Sequence, residues 1–309
     1  MIIAREADEG LRFDVFLAKE AGLSRQTAQT LIERGLARLN GLVKPKRTRL
    51  ACGDALEYET PLTPKVSGVE PQNIPLDIIF EDDYFCVVNK PANMPTHPAP
   101  GWTFGTLANA LAFHVKNLSQ VDEARPGIVH RLDKDTTGLL LAAKNNFAHI
   151  ALAKQIENRQ AKRRYLTILN GVLKNALEIK APIGRSPYNR KKMAVVANGR
   201  YALTSMRPLI REKNFTLAEA RLHTGRTHQI RVHAAHINRP VLGDIVYGGG
   251  ANGETSPFLH AFALEVFHPK NERIMRFFAP PSPRFIEKAQ NIFGAEILEE
   301  IYEEIYESV

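Results

Sequence analysis

The chain has 309 residues, 44% hydrophobic and 24% charged, with no low-complexity tract, which excludes a disordered or fibrous protein and leaves room for one large and one small domain. Its 41 Lys and Arg outnumber 33 Asp and Glu, a formal charge of +8 that favours an anionic partner, nucleic acid first and a membrane surface second. Two cysteines, Cys52 and Cys86, are too few for a disulfide framework or a thiolate zinc site; no apolar run reaches the roughly 18 residues of a membrane span, and Met1 to Arg5 turns charged too soon for a signal peptide. A cytoplasmic protein without a membrane partner is the expectation.

Residues 11 to 60 read as a small basic module. Phe13, Phe16 and Leu17 have helical spacing before Gly22, and Ser24 is a good N-cap for a second helix in which Ala28, Leu31 and Ile32 share a face up to Gly35. Leu36 to Leu39, the pair Asn40-Gly41 and Leu42-Val43 predict a hairpin, and Ala55 to Glu59 a further strand. Between positions 25 and 49, seven basic residues (Arg25, Arg34, Arg38, Lys44, Lys46, Arg47 and Arg49) stand against Glu33 alone. Charge runs usually form a solvated face, but these straddle a helix, a hairpin and a loop, as a phosphate-binding patch would. Two short helices followed by RLNGLVKPKRTRLACGD resemble the S-four-like RNA-binding module, and the resemblance implies an RNA-binding domain over residues 1–62.

A proline-rich linker follows at 63–76, and the next domain is expected over 77–290. Ile78 to Phe80 and Phe85 to Val88 predict two strands, Met94 to Gly101 a stiff loop suited to the rim of a cleft, and Thr106 to Val115 a helix. In the stretch PGIVHRLDKDTTGLLLAAKN, from Pro126 to Asn145, Asp133 lies between two apolar segments, the second being Leu139 to Ala143. Arg131 and Lys134 flank it, and nearby positive charge favours the anionic form, which suits a nucleophile better than a proton donor. A helix is expected over Ala148 to Gln160, then a strand over Leu166 to Leu169 with Tyr165 at its entrance. Arg190, Lys191 and Lys192 precede a Met193 to Val196 strand in a basic hairpin that either grips a backbone or keeps an edge strand from pairing.

In ARLHTGRTHQIRVHAAHINRPVLGDIVYG, Thr227 is the expected N-cap of a helix through Ile237. His223, His228, His233 and His236 tempt a metal reading, but arginines rather than carboxylates surround them and no cysteine assists, so an exposed helix face suited to phosphate is preferred. The last segment, 291–309, alternates Glu296, Glu299, Glu300, Glu303, Glu304 and Glu307 with apolar residues, an acidic amphipathic helix expected to pack on its own chain.

In order, HRLDKDTTGLLLAAK, KRRYLTILNG, LHTGRTHQIRVHAAHINRPVLGD and FLHAFALEVFHP closely resemble the RluA-type family of pseudouridine synthases from about Asp77 to Pro280. Thr136-Thr137-Gly138 departs from the family signature only in carrying threonine where serine is common. The resemblance implies an α+β fold with a large, mainly antiparallel sheet, and isomerisation of uridine in RNA without cofactor or metal. It implies Asp133 as the catalytic carboxylate, Arg231 as its ion-pair partner and Tyr165 as the ring stacked on uracil. Arg131 fills the place of the flipped base, Leu259 walls the other side of the ring, and His130, Thr137 and Arg226 are further substrate-binding candidates. Whether Asp133 attacks the sugar or removes a sugar proton stays open. Large-subunit ribosomal RNA is the favoured partner, transfer RNA the alternative, and the chain is expected to be monomeric. Two rivals remain: an RNA chaperone whose large domain is inactive, against which the Asp133, Tyr165 and Arg231 set argues, and a metal-dependent nuclease, which a chelator would silence.

Overall fold

The computed structural model describes residues 2–23, 25–59, 69–99, 102–189, 192–250 and 253–295, and the single positions 299, 303 and 305. The N-terminal elements are β1 (Ile2–Ile3), α1 (Phe13–Ala21), α2 (Arg25–Glu33), β2 (Ala37–Leu39) and β3 (Ala55–Tyr58), with an antiparallel sheet in the order β1-β3-β2. Helical spacing puts Phe13, Phe16, Leu17, Leu31 and Ile32 into one core with Leu39 and Leu56. Gly22 closes α1 in the left-handed region, as its sequence position suggested, whereas Ser24 lies outside the described residues. The predicted hairpin is only partly realised. Asn40 and Gly41 make the left-handed turn, but it is closed by a single bridge between Leu39 and Leu42; β2 pairs with β3 instead, and Leu42 and Val43 are exposed. Pro45, which has no N–H to offer a ladder, turns the chain away there.

The remaining elements are β4 (Asp77–Glu81), β5 (Phe85–Lys90), α3 (Leu107–His114), β6 (Thr137–Ala143), α4 (Asn146–Glu157), β7 (Lys162–Asn170), β8 (Leu177–Lys180), β9 (Ile183–Arg185), β10 (Met193–Val195), β11 (Leu203–Glu212), β12 (Phe215–Leu222), α5 (Gln229–His236), β13 (Leu259–Phe267), β14 (Ile274–Phe278) and α6 (Pro283–Phe293). Nine strands make one sheet in the order β4-β5-β6-β13-β7-β12-β11-β8, with β14 added on β13; β9 and β10 form a separate ribbon. Every pair in the large sheet is antiparallel except β6 with β13, so the α+β class and mainly antiparallel sheet expected from the resemblance are found. The parallel step depends on Gly138. It has φ +107, and a Cβ there would overlap the Ala261 carbonyl of β13, so only glycine lets the two strands approach.

Several boundaries differ from the sequence reading. Asn145 caps α4 by accepting from Ala148 N at 2.8 Å, so the helix starts before Ala148. Tyr165 is not at a strand entrance but inside β7, because the basic run from Lys162 is itself strand. The N-cap of α5 is His228, in a left-handed conformation with φ 57, rather than Thr227, and the helix is largely buried rather than exposed. Of the expected linker 63–76, residues 63–68 lie outside the described residues, while the part after them is tied to α3: Asn109 donates to the Glu70 carbonyl at 2.8 Å and Gln72 N to the Asn109 carbonyl at 3.0 Å. Near the C-terminus Phe285, Ala289 and Phe293 of α6 pack with Leu242, Phe258 and Ile305. Glu296, Glu300, Glu304 and Glu307 of the expected acidic helix lie outside the described residues.

Among the described residues the buried polar side chains are mostly paired. Glu219 of β12 is fully buried and accepts from Arg164 at 2.7 Å, Arg221 at 2.6 Å and Arg207 at 3.2 Å; burial opposes its charge, but the arginines win and hold its carboxyl at about 2. His260 of β13 bonds the Thr137 hydroxyl through Nδ1 at 2.7 Å and the Ala279 carbonyl through Nε2 at 3.0 Å. Burial pushes His260 and His97 down to about 4 and His130 to about 3. An unfolded histidine titrates near 6.5, so the unfolded chain binds more protons below that pH and stability falls as pH drops towards about 4. Thermal melts between those values should show a declining Tm; a flat profile would contradict this assignment of neutral, buried imidazoles.

Candidate active site

Asp133 sits in a loop between the Ile128–Ala142 bridge and β6, and that loop is braced from below. Lys90, at the end of β5 and fully buried, donates through Nζ to the carbonyls of Pro91 (2.7 Å), Met94 (2.9 Å) and Lys134 (3.0 Å). Burial pushes its amine down to about 7, against the pull of Asp135 and Asp133. The Thr96 hydroxyl donates to the Leu132 carbonyl at 2.6 Å and accepts from Leu132 N at 3.2 Å. The proline-containing loop expected at a cleft rim is thus the brace of the Asp133 loop.

Arg231 of α5 reaches Asp133 from the other side, Nη1 donating to Oδ2 at 3.1 Å. Its Nε and Nη2 are held by Asp244, at 2.6 and 2.9 Å, in a two-pronged contact. The Asp244 carboxylate is fully buried and also accepts from the backbone of Val246 at 3.1 Å. Burial works against the charge on Arg231, but Asp244 and Asp133 outweigh it and raise its pKa above the ordinary value. His228 Nε2 lies 3.9 Å from Asp133 Oδ1, and its Nδ1 bonds the Tyr247 hydroxyl at 2.8 Å. Burial lowers the His228 pKa, which keeps its ring neutral beside the ion pair.

The opposite wall comes from the sheet. Tyr165 on β7 pairs with Ala261 on β13 and Ala220 on β12, and Leu259 opens β13. Burial raises the Tyr165 pKa, so the ring presents a neutral phenol. Asp133, Tyr165, Arg231 and Leu259 line one narrow cleft that opens to solvent. The Asp133 side chain retains 14% of its exposure, enough to meet a ligand.

Other candidates fall differently. Arg131 is exposed at the mouth, and with Arg226 it lines both this cleft and a wider groove beyond it. His130 lines the groove alone, with Nε2 accepting from Leu141 N at 3.0 Å. Thr137 is absent from the cleft lining because its hydroxyl turns to His260; Thr136 takes that place. Lys134 stacks over Trp102 at 4.3 Å rather than facing Asp133. Lys192 donates to the Val246 carbonyl at 2.7 Å, while Arg190 and Lys191 lie outside the described residues. In the N-terminal module Arg25 pairs with Asp14, Lys46 with Glu33, and Arg49 donates to the Gly10 carbonyl; Arg34, Arg38, Lys44 and Arg47 stay exposed. Of the other three histidines in the motif of His228, His233 is buried and bonds Thr204 and the Ala181 carbonyl, half-buried His223 bonds Ser205 and lines the groove, and His236 is exposed. Among the described residues no three His, Cys, Asp or Glu converge as metal ligands, and no helix is long and apolar enough to cross a membrane. Sequence reasoning missed Asp244, Lys90 and the His228–Tyr247 pair. Asp244 had a visible signal, an aspartate closing the same motif that carries Arg231.

A carboxylate pinned by an arginine, beside a buried aromatic ring, opens to an arginine-lined groove suited to an anionic ligand. The family model described as RNA pseudouridylate synthase matches residues 84–236. An RNA pseudouridine synthase of Aquifex aeolicus is 40% identical over 86% of this chain and 89% of its own length. A Haemophilus ducreyi protein named ribosomal large subunit pseudouridine synthase D is 38% identical over 90% of both chains. The solved structure of human RNA pseudouridylate synthase domain containing 1 superposes with a TM-score of 0.55 at 25% identity, over 68% of this chain and 86% of that one. The chain therefore belongs to the RNA pseudouridine synthase family, of the RluA type, and is an isomerase acting on RNA.

Replacing Asp244 by Asn removes the anion that fixes Arg231 and breaks a buried pair, a change expected to cost about 3–5 kcal/mol of stability. Because Asp133 is then aimed by a loosened guanidinium, turnover at a temperature where the variant is still folded should fall by about tenfold or more. Thermal melts with single-turnover assays check both. Unchanged turnover in a folded Asp244→Asn would mean that Asp244 does not position Arg231 for the reaction.

Proposed function

We propose that Asp133 is the catalytic carboxylate and acts at the ribose of a uridine flipped into the cleft. The bond from C1′ to N1 of uracil breaks, the base turns, C1′ bonds to C5, and the C5 proton leaves while N1 takes one up, so the product is an isomer of the substrate. Arg231 holds the carboxylate oriented, Tyr165 stacks on the uracil ring, Leu259 closes the other side, and Arg131 takes the space left in the strand. Arg226 contacts the strand at the mouth. The observation that carries this reading is the 3.1 Å contact of Arg231 Nη1 with Asp133 Oδ2 in a cleft also lined by Tyr165 and Leu259.

The substrate we favour is large-subunit ribosomal RNA, in keeping with the name of the Haemophilus ducreyi relative and with the exposed Arg34, Arg38, Lys44 and Arg47 of the N-terminal module. That module, 1–62, would act as an S-four-like RNA contact, and the enzyme would work in the cytoplasm as a monomer, with Cys52 and Cys86 as free thiols.

Asp133→Asn should abolish pseudouridine formation in an unmodified transcript while RNA affinity stays within about threefold, because phosphate contacts supply most of the affinity. Wild-type turnover by that variant would overturn the assignment. Removing residues 1–62 should weaken RNA binding and flatten its dependence on salt; identical affinities across a salt series would show that the module makes no phosphate contact.

A further inference from the structure

Beyond the cleft mouth the groove is lined by Arg125, Arg131, Arg159, Arg200 and Arg226, and among the described residues Asp133 and Glu157 are the only carboxylates in its lining. Asp133 is already engaged by Arg231. At the base of this groove lies Arg163, two residues before Tyr165 on β7 and so on the same face of the sheet. Arg163 is only 6% exposed, and its Nε is buried without a hydrogen-bond partner. No carboxylate pairs with it among the described residues. Its neighbour Arg164, on the opposite face, is by contrast bound to Glu219 at 2.7 Å.

A buried guanidinium without a counter-charge is costly, and among the described residues no carboxylate offsets it. His130 beside it is neutral, since burial and then the charge of Arg163 itself hold its imidazole at about 3. Gly225, in the turn facing the guanidinium, leaves that side clear: a Cβ there would come within 3.0 Å of Nη1. The cation is thus left available to the groove, and an anion arriving with several acceptor oxygens would satisfy the donors that the protein leaves open.

We propose that Arg163 is a binding site for a phosphodiester of the RNA strand that carries the target uridine, in the groove that leads into the Asp133 cleft. This rests on the reading of that cleft as the place where the uridine reacts. Arg163 would then set how far along the groove the strand advances before a nucleotide turns towards Tyr165.

The test uses full-length wild type, Arg163→Met and Arg163→Lys with an unmodified transcript of large-subunit ribosomal RNA. Arg163→Met should raise KM by about tenfold, as loss of one charge-assisted phosphate contact implies. It should also lower the slope of log affinity against log salt by about 0.7–0.9, the release from one phosphate. Its Tm should be unchanged or higher, because an uncompensated buried charge is gone. Inorganic phosphate at constant ionic strength should raise the Tm of wild type and leave Arg163→Met unmoved, while Arg163→Lys keeps most of the salt slope. A lower Tm with an unchanged slope in Arg163→Met would overturn the proposal and make Arg163 a packing residue. If Arg163→Met does not fold, the Lys variant and the phosphate shift decide: no phosphate shift in wild type overturns it. Wild type that binds the transcript with the expected slope change but forms no pseudouridine would instead count against the substrate reading alone.

Discussion

One guanidinium organises the catalytic half of the molecule. Arg231 is shared between Asp133, which reaches solvent, and Asp244, which does not, and the division of labour follows from that difference in burial. The two-pronged contact with Asp244 fixes the plane of the guanidinium, and Asp244 is in turn anchored by backbone N–H groups. Nη1 is then aimed at Asp133. An arginine bound to Asp133 alone would keep several rotamers, and the carboxylate would follow it. With Asp244 in place, the direction of the outer ion pair is set by the inner one.

The sheet provides the counterpart on the other wall. The parallel contact of β6 with β13 is an exception in an antiparallel sheet, and it occurs where the Asp133 loop runs into its strand. Gly138 makes the contact possible, and Thr137 and His260 lock it with a side-chain bond beside the crossing. Leu259 opens β13, and Tyr165 on β7 pairs with Ala261, the residue that also meets Gly138, so loop and wall are both referred to the same stretch of β13.

The parts legible in the sequence were those carried by local pattern. Helical spacing placed α1 and α3, and the HRLD motif placed Asp133 between apolar segments. Resemblance supplied what spacing could not, the partnership of Asp133 with an arginine 98 positions away. Where the reading slipped, tertiary packing had overridden local preference. Lys162 to Arg164 look like a surface run, yet two of the three are buried in β7: Arg164 because Glu219 compensates it, Arg163 because the groove opens over it. His228 adopts a left-handed cap that its residue type does not announce, and its bond to Tyr247 accompanies that conformation. Asp244 stood in plain view at the end of the motif that carries Arg231, but its burial, which a solvated carboxylate would not share, shows only once the partner is seen.

Lys90 has a consequence of another kind. All three of its acceptors are main-chain carbonyls, of Pro91, Met94 and Lys134, so the clamp consults no side chain but its own. Residues of the bracing loop can be exchanged during divergence without touching any of these bonds, provided the backbone keeps its path. An insertion or deletion between Pro91 and Met94 would move an acceptor out of reach of a stem that is already fully enclosed. Thr96 apart, whose hydroxyl bonds Leu132, the acceptors Lys90 uses therefore constrain the segment in length rather than in composition.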